Sequence, residues 1–78
     1  GGIIHFQLGQ KIINFHWKFG AGNSLALIFI PEEVCWETAT GLKLAEHMKV
    51  LEFVAKEVIY DKAIESEYII EKGFIKIL

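Results

Sequence analysis

The first nineteen residues alternate apolar and polar side chains in two runs that meet at Gly9-Gln10. From Ile3 to Leu8, residues Ile4, Phe6 and Leu8 fall on one side and Ile3, His5 and Gln7 on the other. From Lys11 to Phe19, residues Ile13, Phe15, Trp17 and Phe19 oppose Ile12, Asn14, His16 and Lys18. A period of two over such lengths marks half-buried strands. Two loop residues with glycine first suit a type II′ turn, which sets Leu8 opposite Lys11, Phe6 opposite Ile13 and Ile4 opposite Phe15. The apolar sides of both strands then coincide without a slip. A hairpin over 3–8 and 11–19 is therefore the frame that everything downstream has to accommodate.

Gly20-Ala21-Gly22-Asn23-Ser24 follows, a loop of residues that tolerate positive φ or bond their own backbone. Leu25 to Ile30 is apolar on both faces and predicts a third strand, 25–30, covered on two sides by core or by another subunit. Pro31, Glu32 and Glu33 then carry the signals of a helix start. The helix is expected over 32–40, with Gly41 as its C′ residue. Val34, Cys35, Thr38 and Ala39 are expected on its inner side, and Trp36 elsewhere, as an anchor against a neighbouring element or as part of an interface.

Beyond Gly41 two readings stay open. Leu44, Ala45, Met48, Leu51, Ala55, Val58 and Ile59 recur at helical spacing, which predicts an amphipathic helix over 43–60 or beyond, with Val50 and Phe53 off its apolar side. The β-branched content instead allows two strands, Met48 to Val54 and Val58 to Ile64, joined near Ala55-Lys56-Glu57. Gly73 stops whatever precedes it, and Phe74 to Leu78 reads as a closing strand or a docking tail.

Seventy-eight residues make a single domain, with Gly1-Gly2 read as a remnant outside it. At 53% hydrophobic, the chain carries more apolar surface than so small a core can bury, which predicts a homodimer. No run reaches the roughly 18 apolar residues of a membrane span, and no leader pattern precedes the domain, so a cytoplasmic protein without membrane contact is expected. The single cysteine, Cys35, is expected to be a small buried residue of the helix.

The charge is unevenly placed. Residues 1–31 hold Lys11 and Lys18 and no acid, whereas residues 32–78 hold six lysines against ten acids, and there is no arginine. His5, His16, His47 and Cys35 lack metal-ligand spacing. Ser24 lacks the lysine of a phosphate loop and the flanking glycines of a nucleophile elbow. Glu32, Glu33 and Glu37 are accounted for as helix-start acids. The expectation is a protein with no catalytic residues, no metal and no cofactor.

Gly22-Asn23-Ser24-Leu25-Ala26-Leu27, followed by Ile30-Pro31-Glu32-Glu33-Val34, resembles the SpoVT/AbrB superfamily, in particular the N-terminal domain of MazE-like antitoxins. The resemblance covers residues 11–64. It implies an α+β fold in which the strands 3–8, 11–19 and 25–30 and the short helix 32–40 are followed by a second strand hairpin, two chains interlocking into a small swapped-hairpin barrel. It also implies a DNA-binding transcriptional regulator or antitoxin acting as a dimer. Lys11, His16 and Lys18 would then meet phosphates, Asn23 and Ser24 would approach backbone or base edges, and the acidic half would face a toxin. The competing expectation is a small protein-interaction or immunity-type domain, a three-stranded meander packed by the helix 43–60, that occludes a partner through an apolar and acidic surface.

Overall fold

The computed structural model describes all 78 residues. Gly9 takes φ 61°, as the first position of a type II′ turn requires, and β1 (Gly2–Leu8) pairs antiparallel with β2 (Lys11–Phe19) in the expected register, Leu8 opposite Lys11 and Ile4 opposite Phe15. Phe15 is buried, Trp17 half-buried and His16 exposed, so the hairpin turns the expected side inward. The third strand, β3 (Ala26–Phe29), pairs with β2 through Trp17 opposite Ile28. Backbone bonds from Leu25 N–H to Ile77 O and from Ile30 N–H to Gly73 O extend its ladder at both ends.

α1 (Glu33–Thr40) ends on Gly41 at φ 74°, whose N–H donates to Glu37 O at 2.9 Å. Its rotation differs from the expectation. Val34 is 89% exposed and Cys35 is exposed, whereas Trp36 is completely buried and Thr40 nearly so. The Trp36 indole N–H donates to Lys43 O at 3.1 Å, which gives the buried ring's one polar group an acceptor.

A short 3-10 turn, Leu44–Glu46, leads into α2 (His47–Lys62). Here one helix stands where the SpoVT/AbrB resemblance implies a second hairpin. No glycine, proline or asparagine interrupts His47 to Lys62, and there helix propensity prevails over the β-branched residues. Its buried side is Val50, Leu51, Val54 and Ala55, so Val50 faces inward after all. Met48, expected inside, is 43% exposed.

The chain returns as β4 (Tyr68–Glu71) and β5 (Phe74–Ile77) around Gly73 at φ 88°. β5 inserts between β3 and β4, giving one open five-stranded antiparallel sheet in the order β1-β2-β3-β5-β4. The sheet does not close into a barrel. Both helices sit over one face, where Ile13, Phe15, Ile28, Ile75 and Ile77 meet Trp36, Leu51 and Val54 in a single core. The fold is thus α+β, a meander backed by a long helix and widened by a C-terminal hairpin. No helix is long and apolar enough to cross a membrane.

Candidate nucleic-acid interface

Because all the helical packing is on one face, the other face of the sheet is uncovered, and register decides what stands on it. Residues paired across strands share a face. Lys18 pairs with Leu27, Leu27 with Lys76, and Lys76 with Ile69, forming one row across β2, β3, β5 and β4. In the neighbouring row Ile3 pairs with His16, one register step places His16 opposite Phe29, and Phe29 pairs with Phe74, itself opposite Glu71.

The centre of the face is therefore a cross-strand pair of phenylalanines beside two lysines. Phe29 is 42% exposed, and the Lys18 ammonium lies 5.7 Å from the centre of its ring, within cation–π range. His5 and Asn14 extend the polar side of the hairpin, linked by a 2.6 Å hydrogen bond between Nδ1 and Oδ1. Glu71 is the one acid on this face, at its far edge. Nine of the chain's ten acids lie between Glu32 and Glu67, on the helices and the connections that flank them.

Of the five residues singled out from sequence, the fold brings His16 and Lys18 together on this face. Lys11 belongs to the opposite face, where its ammonium donates to Gly41 O. Asn23 and Ser24 stand in the β2–β3 loop beyond the Lys18 row, and the Ser24 hydroxyl donates to Ala21 O at 2.9 Å within its own turn. Phe29, Phe74 and Lys76 were missed. Alternation in Phe74-Ile75-Lys76-Ile77 marks Phe74 and Lys76 as sharing a side, but the pairing of β5 with β3 that brings them beside Phe29 is a long-range event with no local signature.

On the helical side, a cleft of about 920 Å³ opens between β1 and the second half of α2, lined by Phe6, Trp17, Phe19, Phe53 and Val58. Its polar rim includes Glu57 and Asp61. No three His, Cys, Asp or Glu side chains converge anywhere on the molecule. No family model matches the chain, and neither a curated protein nor a solved structure matches it.

Proposed function

We propose that the open face of the sheet binds single-stranded nucleic acid. The observation that carries this reading is the registered pair Phe29 and Phe74 beside Lys18 and Lys76, on a face whose strands carry a single acid, Glu71 opposite Phe74. Unpaired bases stack on aromatic rings displayed by a sheet, and ammonium groups one row away hold the phosphates that connect them. Stacking needs no arginine, so the lack of that residue bears on base-edge reading more than on this mode. An aromatic pair with apolar flanks would also suit a protein surface, but an interface core is ordinarily depleted in lysine, and here lysines adjoin the rings.

Fluorescence anisotropy with labelled single-stranded DNA and RNA and with a duplex of the same sequence, at low salt, tests the reading. Single strands are expected to bind better than duplex, and Phe29→Ala or Phe74→Ala to weaken binding by about 1–3 kcal/mol for each base unstacked. Binding no tighter than that of an unrelated acidic protein removes it. Preference for duplex, lost with substitutions at Lys11, Asn23 and Ser24 and kept in Phe29→Ala, would favour instead the regulator suggested by the SpoVT/AbrB resemblance.

A further inference from the structure

The sheet has two edges, and they differ in how they are protected. β4 is four residues long, ends at Glu71 and is followed by Lys72 in the turn. β1 is seven residues long, carries no Lys, Asp, Glu or Pro, and has no element beyond it. Length and lack of charge are among the properties that leave a strand edge open to further pairing. The two-residue turn makes Leu8 and Lys11 a hydrogen-bonded pair, and antiparallel alternation then directs the N–H and C=O of Ile3, His5 and Gln7 away from β2, along the free edge.

The apolar cleft runs beside that edge. Phe6 is half-buried and Phe53 is 54% exposed, with ring centroids 5.6 Å apart in an edge-to-face contact. A strand added to β1 would lay every second side chain against these rings.

We infer that β1 of one chain pairs antiparallel with β1 of a second copy, joining two sheets into one across a two-fold axis at His5. Antiparallel pairing keeps faces matched only when directly opposed residues share parity, and β1 meets that condition with itself. About His5, Ile3 comes opposite Gln7 on the open face, and Ile4 opposite Phe6 on the cleft side. His5 meets His5, exchanging both backbone bonds, and Ile3 and Gln7 exchange theirs, so the outward groups are satisfied together. The apolar Ile4–Phe6 pairs cover the cleft mouth beside Phe53 on both copies. Self-pairing brings no charge from β1 itself into the joint, because β1 has none, and the nearest charges are Glu57, Asp61 and Lys62 of the cleft lining. Two open faces become continuous, so a single strand longer than one sheet could cross both.

Mass in solution, by light scattering over a concentration series, tests the pairing in the full chain. Wild type is expected to reach twice the chain mass. His5→Pro, which removes an outward N–H without touching the β1–β2 ladder, is expected to weaken association roughly thirtyfold through two lost hydrogen bonds. His5→Lys sets like charges face to face and is expected to weaken it several-fold, and it decides the matter should the proline variant fail to fold. Hydrogen exchange at Ile3, His5 and Gln7 is expected to slow as concentration rises. A single-chain mass up to the solubility limit overturns the inference, since the edge is then free for a foreign strand. A dimer left intact by both substitutions also overturns it, by placing the contact elsewhere. Neither outcome depends on whether oligonucleotides bind.

Discussion

Trp36 shows what a single residue contributes here and why its role was hard to read. An eight-residue helix makes barely two turns, and the stripe Val34, Cys35, Thr38 and Ala39 was as plausible an inner side as the one observed. The decision comes from outside the helix: the sheet offers a space large enough for an indole, and Lys43 O offers an acceptor for its N–H. Thr40, one turn on, donates to Trp36 O at 2.7 Å and accepts from Leu42 N–H at 3.1 Å, tying the end of α1 to the same place. Trp36→Ala is expected to cost about 3–5 kcal/mol in urea unfolding, and Val34→Ala, on the exposed side, within about 0.5 kcal/mol. Glu65 is the opposite case. It alone among non-glycine residues has positive φ, 75°, in the turn after α2. Glu65→Gly is expected to raise stability by about 0.5–1 kcal/mol in the same assay, by relieving the Cβ clash of the left-handed region. Gly20 is constrained by space instead. A Cβ there would stand 2.5 Å from the Ser24 carbonyl oxygen, so Gly20→Ala is expected to destabilise by about 1–3 kcal/mol.

Among the elements, those fixed by local chemistry were legible and those fixed by distant partners were not. The hairpin of β1 and β2 was readable in its turn and register, which are written within nineteen positions, although β1 begins one residue earlier than expected, at Gly2 opposite Trp17. β4 was not. The connection leading to it, Ala63 to Glu67, has no glycine or proline and turns by forcing Glu65 into an unfavourable conformation, so the sequence shows no break where the helix ends. α2 was one of two readings that the sequence left open, beside a pair of strands, and even as a helix the direction of its apolar side was off by part of a turn, because apolar residues surround it on more than one side. Val50, Leu51, Val54 and Ala55 took the core, and Met48 and Phe53 were left largely exposed. Far-UV circular dichroism is expected to show nearly a third of the chain as helix, matching the eight residues of α1 and sixteen of α2. A barrel built from strand hairpins would give far less. Leu51→Ala is expected to cost about 2–5 kcal/mol, and Met48→Ala less than about 1 kcal/mol, which reads the orientation of the helix directly.

At the scale of the molecule, the same topology that separates helices from open sheet also separates charge. A net charge of −2 would ordinarily argue against nucleic acid, yet it is an average over two unlike surfaces. His16 and Lys18 could be placed on one side from the alternation of β2, but the rest of the candidate face depended on β5 entering between β3 and β4, which carries Lys76 and Phe74 into the middle. If phosphates are held on that face, lysines should matter by position rather than by number. Each phosphate neutralised on a single strand contributes about 0.7 to the slope of log affinity against log salt. Lys18→Gln and Lys76→Gln are each expected to lower that slope by about 0.7 and to weaken binding at low salt, their effects adding in the double variant. Lys49→Gln changes the net charge identically but lies on α2, so the slope is expected to stay as in wild type. Equal loss from all three substitutions would mean that only total charge is sensed, and the open face would then have no special claim on the polyanion.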